Sequence, residues 1–356
     1  MKLLERTLSA PGKLFLAGEY AVLWGGTARI LAVGPRTHAL VRSRMDRRVN
    51  VLLEGKKLSG SVTQSGVRWE NPVTADFHFV ARAIDFVFRT VDHEAKGLSV
   101  AFETSLALNG HKPGFGSSAC ATLLAVEAAR IALNENFDSL KLALLAHRDA
   151  QGGEGSGGDV AVIFAGGAVR YKKYDEGAPF VTAAKRLRSE LSRSPSVDLT
   201  PIAPPALPLA YAFSGQSTTT ANMLKAVPHD DRRARFVMAS NALGLEFERA
   251  LIQGDFEAAK SAAAELQKWL LAMDLTRSEA LLQVLRLAEQ FCCAGKQSGA
   301  GGGDGCLLFG CDDEALDTFI AACTERGMYA MRISPETGLR SEAECHAGLS
   351  LEGNIE

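Results

Sequence analysis

The residues best suited to chemistry lie in the run Gly110-His111-Lys112-Pro113-Gly114-Phe115-Gly116-Ser117-Ser118-Ala119-Cys120. Gly114 and Gly116 alternate with bulkier residues and permit backbone angles that side chains forbid, so the chain can curl tightly. Ser118 stands where an N-cap belongs, ahead of a helix expected over 119–133. A curled loop that feeds a helix N-terminus points several N–H groups at one spot, beside the positive end of the helix dipole. Such a spot suits a phosphate. Two readings fit the run: a seat for a nucleoside triphosphate, or a glycine-containing turn before an ordinary capped helix.

Three further stretches carry chemistry-bearing residues. Ala10-Pro11-Gly12-Lys13 places a lysine at the mouth of a turn, just before an apolar strand. Its ammonium is either a solvated charge or a group held near a site. Between Gln151 and Val162 glycines crowd Asp159, which is read as opening an apolar strand. That segment is either a backbone that approaches a ligand closely or a flexible surface loop with Asp159 as a turn residue. Glycines recur at Gly299, Gly301, Gly302, Gly303 and Gly305, running into an apolar strand. The hydroxyls Ser214, Ser217, Thr218, Thr219 and Thr220 head a helical stretch, for capping or for ligand contact.

The elements that must position these residues follow from periodicity and punctuation. Strands are expected over 3–9, after Lys13, over 38–44, 48–53 and 97–104, and over 166–174. Helices are expected over 76–90, 119–133 and from Asp138, an N-cap, to Gln151. The stretch Ser194 to Pro208 is proline-rich and reads as a linker. A strand over 209–213 then opens a second lobe. Helices over 231–252, 255–272 and 277–294 follow, with a helix over 312–326 and a strand over 327–333 closing the chain. This order gives an α+β fold, with helices on one face of each sheet. The division is an N-terminal lobe 1–193, a linker 194–208 and a C-terminal lobe 209–356.

Composition limits the function classes. With 356 residues, 47% of them hydrophobic, the chain can bury a sizeable core in two lobes. A net charge of −2 does not favour a nucleic-acid partner. The clusters Arg42, Arg44, Arg47, Arg48 and Arg232, Arg233, Arg235 read as solvated faces. The seven cysteines lack paired spacing, which fits reduced thiols in a cytoplasmic protein. The start has no secretory pattern, and no apolar run approaches the ~18 residues of a membrane span. Monomer and homodimer are both open.

Taken together, the glycine segments resemble the GHMP kinases, the superfamily of galactokinase, homoserine kinase and mevalonate kinase. The first motif matches at Pro11-Gly12-Lys13 and Gly18-Glu19-Tyr20. The second matches at Gly114-Phe115-Gly116-Ser117-Ser118-Ala119, with Phe115 where leucine is usual. The third matches at Gly299-Ala300-Gly301-Gly302-Gly303. Lys112 before the second motif, Gly155-Ser156-Gly157-Gly158-Asp159-Val160-Ala161, and Asp304 after the third are similar to the phosphomevalonate kinase branch. Ser214 to Thr220 looks like that branch's Thr-Gly-x-Pro-Ala-Ser-Thr stretch but has Ser217 and Thr218 in place of Pro-Ala.

The resemblance implies a two-lobed fold with the active site in the cleft, and ATP and Mg²⁺ as cofactors. It implies phosphate contacts from Lys112, Gly114, Gly116, Ser117, Ser118 and Ala119, with Mg²⁺ held by Ser118. Glu154 is a weak candidate for a carboxylate ligand. Lys13 and Asp159 take the catalytic roles. Lys13, Tyr20, Ser156, Gly157, Ser217, Thr219, Ser298, Gly299 and Ala300 line the acceptor, and Thr219, Thr220 and Arg340 are candidates to grip its carboxylate end. The implied reaction is ATP-dependent phosphorylation of 5-phosphomevalonate. Mevalonate kinase or another small-molecule GHMP kinase is the alternative, and a non-catalytic binding relative the third reading. For an alcohol acceptor Asp159 accepts a proton while Lys13 steadies the oxyanion. For a phosphate acceptor, with a second pKa of about 6, no strong base is needed. Asp159 then chiefly holds Lys13.

Overall fold

The computed structural model describes residues 4–90, 96–104, 114–153, 155–173, 197–215, 223, 231–302, 305–342 and 351. Strand β1 (Glu5–Ala17) pairs antiparallel with the long β2 (Thr27–Ser43). The sequence suggested two strands separated by a turn at Pro11-Gly12. The structure has one continuous strand with a register shift between those residues. A bulge is where a residue without an N–H can sit in a paired strand.

β3 (Arg48–Leu53), β4 (Lys56–Thr63) and β5 (Gly66–Trp69) form a meander. Helix α1 (His78–Thr90) follows, then β6 (Leu98–Thr104), which runs antiparallel to β2 and parallel to β3. Helices α2 (Ser117–Leu133), α3 (Ser139–Ala150) and α4 (Gly158–Ala165) come next, then β7 (Ala168–Lys172) and β8 (Asp198–Ile202). β7 pairs with the start of β2, and β8 pairs with β7. The proline-rich segment read as a linker therefore contributes an edge strand to the first sheet, a position that tolerates Pro201.

The second sheet is built from β9 (Leu209–Phe213), β10 (Cys293–Ser298), β11 (Gly305–Gly310) and β12 (Tyr329–Ile333), in the order β10-β11-β9-β12. Helices α5 (Asp231–Gln253), α6 (Phe256–Ala272), α7 (Glu279–Glu289) and α8 (Asp313–Glu325) surround it. The third of these was expected to run on to residue 294, but it ends at Glu289 and the chain turns into β10. Finally β13 (Arg340–Glu342) returns to pair with β1.

Strand alternation splits the second sheet's side chains between two cores. Leu209, Tyr211, Phe213, Leu307 and Phe309 join the main core, where Phe309 meets Phe247 of α5 and Phe256 of α6. Ala210, Ala212, Cys306 and Leu308 face Leu281 and Val284 of α7 and Phe319 of α8. This sheet is thus covered on both faces, a correction to the one-faced expectation. Near-continuous apolar strands such as Leu209–Phe213 are what two-sided burial demands.

α5 is also fastened to the first sheet. Glu248 sits between Arg29 of β2, at 3.1 Å, and Arg170 of β7. Burial alone would raise the Glu248 carboxyl, but hydrogen bonds and charge from the two guanidiniums bring it below its ordinary range.

Candidate active site

Lys13 projects from β1 into a nearly closed environment, 8% exposed. Its ammonium donates to the Gly114 carbonyl at 2.7 Å, and its backbone N–H donates to the Phe115 carbonyl at 2.9 Å. The first and second glycine motifs are therefore in direct contact, although a hundred residues of chain separate them. The lysine ends at the loop and is not a free surface charge.

The loop residues Gly114 and Gly116 both have positive φ, 78° and 82°. At Gly116 a Cβ would also lie 3.0 Å from Lys13 Cγ. Gly116 is itself the N-cap of α2, and no side chain caps that helix. Ser118 is thus not the cap, as the sequence suggested. The left-handed turn at Gly116 starts the helix two residues earlier than expected, and Ser118 becomes its second residue. Ser117 and Ala119 flank it in the same first turn. Phe115, where leucine is usual in the motif, is buried against Tyr211 of β9 at 4.7 Å between ring centroids. The larger ring ties the loop to the second sheet.

The glycine segment around Asp159 also leads into a helix. The sequence suggested that Asp159 opens a strand, but it lies in the first turn of α4, whose N-cap is Gly157 at φ 77°. The run Val160-Ala161-Val162-Ile163 is buried on all sides, so it carries no periodicity that separates helix from strand. Asp159 is 21% exposed on its side chain, and its Oδ1 accepts from the Val160 N–H at 2.9 Å. Ser156 Oγ accepts from the Gly158 N–H at 3.2 Å, and its carbonyl accepts from the Tyr171 hydroxyl at 2.6 Å.

His147, on the last turn of α3, lies between Ser118 and Asp159. Its Nε2 is 3.3 Å from Ser118 Oγ, and its Nδ1 is 4.0 Å from Asp159 Oδ1. Burial holds the imidazole below its ordinary pKa, with Asp159 opposing that shift. Cys120, one turn into α2, donates its thiol to the Pro11 carbonyl at 2.9 Å. Burial pushes that thiol up, Asp159 adds to the effect, and Lys13 opposes it. Among the described residues no ion pair joins Lys13 to Asp159: the ammonium is held by the Gly114 carbonyl, and not by Asp159 as expected for a phosphate acceptor. The sequence analysis did not single out His147, and it gave Cys120 no role of its own. A lone histidine in a helix gives no local signal, and its partners come from other elements.

The third glycine segment closes against the first. Ser298 Oγ donates to the Phe15 carbonyl and accepts from the Phe15 N–H, both at 3.0 Å. Tyr20 donates its hydroxyl to the Ala300 carbonyl at 2.5 Å. Gly299 has φ 111°, and a Cβ on Gly301 would strike the Leu275 carbonyl. Beneath them Lys296 and Glu19 form a fully buried ion pair. Arg340 lies apart from these groups, on β13, paired in register with Ser9. Lys112, Glu154, Ser217, Thr218, Thr219, Thr220 and Asp304 lie outside the described residues.

Residues 78–167 match the family described as GHMP kinases N terminal domain. A phosphomevalonate kinase from Streptomyces sp. (strain CL190) is 27% identical over 341 residues, spanning 84% of this chain and 89% of that one. A mevalonate kinase from Thermococcus gammatolerans is 26% identical over 175 residues, 46% of this chain and 51% of its own. The crystal structure of Streptococcus pneumoniae phosphomevalonate kinase in complex with phosphomevalonate and AMPPNP superposes with a TM-score of 0.71. It is 20% identical, and the match covers 93% of this chain and 100% of that one. Residues 78–167 are thus similar to the GHMP kinases N terminal domain, and the two-sheet α+β fold is that of solved phosphomevalonate and mevalonate kinases. Among the described residues no helix is long and apolar enough to cross a membrane.

Proposed function

We propose that this protein is an ATP-dependent kinase of the mevalonate route that phosphorylates 5-phosphomevalonate to 5-diphosphomevalonate. One observation carries the kinase reading. α2 opens on a left-handed glycine with no side-chain cap, and the Lys13 ammonium lies against the same loop. Backbone donors and a buried cation thus meet where a triphosphate would be neutralised. The acceptor assignment is supported by Lys112 beside the loop in the sequence. It is also supported by the span of the match to the Streptomyces phosphomevalonate kinase, which covers most of both chains.

In this reading an oxygen of the acceptor's phosphate forms a bond to the γ-phosphorus of ATP, and the bond to the β-bridging oxygen breaks to release ADP. The attacking oxygen is already largely deprotonated at neutral pH, since a phosphomonoester's second pKa is about 6. Asp159 need not remove a proton. Lys13 offsets repulsion between the two anions, and its contacts with the loop hold it there. Ser118 offers a hard hydroxyl oxygen in the first turn of α2, which suits Mg²⁺. When bound, the ion would screen charge on the transferring phosphates.

A coupled ADP-release assay with purified protein tests the assignment. Turnover with 5-phosphomevalonate, and little with mevalonate, is expected. Turnover with mevalonate alone overturns the acceptor and favours the second reading, mevalonate kinase. That reading draws on the half-length match to the Thermococcus mevalonate kinase and on the partly exposed Asp159, which could serve as a base toward an alcohol. ADP release with neither acceptor, alongside tight nucleotide binding, favours a binding protein.

A further inference from the structure

We propose that His147 is a positioning residue, a neutral imidazole that takes the Ser118 hydroxyl proton on Nε2 and turns Nδ1–H toward Asp159. The inference rests on the kinase reading above and extends it to a residue on a third element.

The argument starts from what Ser118 must do. A serine that ligates a cation through Oγ needs an oxygen lone pair facing the ion and its proton directed elsewhere. Within the described residues the proton's partner is His147 Nε2, 3.3 Å away. If Nε2 is bare, it accepts that proton and leaves the oxygen lone pairs open. If Nε2 carries hydrogen, it donates to the same oxygen and consumes a lone pair. The other ring nitrogen favours the first arrangement. Nδ1 lies 4.0 Å from a carboxylate oxygen of Asp159, so a hydrogen there points along an attractive field. The ring is held in this orientation by Phe79 of α1, which packs on it at 5.4 Å between centroids. The side chain is 2% exposed, so solvent does not compete for either nitrogen. One imidazole therefore links the hydroxyl of the second motif to the carboxylate of the Asp159 segment.

The substitution His147→Phe keeps the stacking on Phe79 and removes both nitrogens. His147→Gln places an amide oxygen where Nε2 stood and can again accept from Ser118. For His147→Phe we expect kcat and the Mg²⁺-dependent part of ATP-analogue affinity to fall by about ten- to a hundredfold, the usual range for groups that orient a ligand. KM for the acceptor should stay close to that of the parent protein, and His147→Gln should recover most of the loss. Independently of activity, ¹⁵N NMR of histidine-labelled protein without nucleotide should show His147 as the neutral Nδ1–H tautomer. An Nε2–H tautomer, a His147→Phe variant with unchanged Mg²⁺-dependent analogue binding, or a loss that His147→Gln fails to restore would each overturn the proposal. Failure of the parent protein to bind nucleotide at all defeats the kinase reading instead, and the tautomer result stands apart from it.

Discussion

α2 and α4 begin alike. Each is entered through a glycine in the left-handed region, Gly116 at φ 82° and Gly157 at φ 77°, and neither N-cap supplies a side-chain acceptor. Their donors meet different fates. At α4 the Gly158 N–H is taken by Ser156 and the Val160 N–H by Asp159. At α2 the described bond across the start is the helical one, Cys120 N–H to the Gly116 carbonyl. Four other helices take a third course. α3, α6, α7 and α8 are capped by Asp138, Asp255, Ser278 and Asp312. A glycine-led start is therefore not enough to make a phosphate seat. In the proposed reading what matters is whether neighbouring side chains consume the N–H groups first, and among the described residues none is seen to do so at α2.

Four substitutions break or sharpen this comparison. The largest effect is expected from Lys13→Met, which removes the cation beside the α2 loop. kcat should fall by about 10²–10³, the range for one lost electrostatic donor, while circular dichroism stays native. Next is Gly116→Ala. A Cβ in the left-handed region costs about 1–2 kcal/mol, and here it also meets Lys13 Cγ at 3.0 Å. Calorimetry should show nucleotide affinity reduced about tenfold, in keeping with that strain.

Gly157→Ala should do the opposite. Its Cβ would lie 2.7 Å from Leu144 Cδ2, so denaturant melts should show about 1–3 kcal/mol of lost stability with nucleotide affinity little changed. If Gly157→Ala weakens nucleotide binding as much as Gly116→Ala does, the two starts share one task and the contrast fails. The smallest effect is expected from Ser156→Ala. It frees the Gly158 N–H, and stability should drop by about 0.5–1 kcal/mol, as for a lost cap. Asp255→Ala on the remote α6 provides the reference for that scale.

Much of this was legible in the chain itself. Asp138 announced α3 because a carboxylate before a helix accepts a backbone hydrogen bond, and the structure has it accepting from Lys141 N–H at 3.0 Å. The three glycine motifs were legible as separate segments, and the fold brings the first against both the second and the third. The kind of element at Asp159 was not. The consecutive buried residues Val160 to Ile163 have no face that distinguishes a helix from a strand, and β-branched Val160, Val162 and Ile163 pulled the reading toward a strand. The helix start at Gly116 was misplaced by two residues, because Ser118 satisfies the capping preference in type while the left-handed turn falls at Gly116. His147 was invisible for a different reason. Its role depends on distances between α2, α3 and α4, and nothing local encodes those. The same holds for Glu248, whose two arginine partners come from strands far away in sequence.

The double hydrogen bond between Ser298 and Phe15 has a mechanical consequence. It anchors the end of the β10–β11 hairpin to β1 two residues beyond Lys13, and Tyr20 ties Ala300 to the same stretch. Parting these segments would break three hydrogen bonds, one buried and two partly buried, at roughly 1 kcal/mol apiece. The strand that carries Lys13 and the Ser298–Ala300 stretch are accordingly tethered at both ends, so that a displacement of one is transmitted to the other.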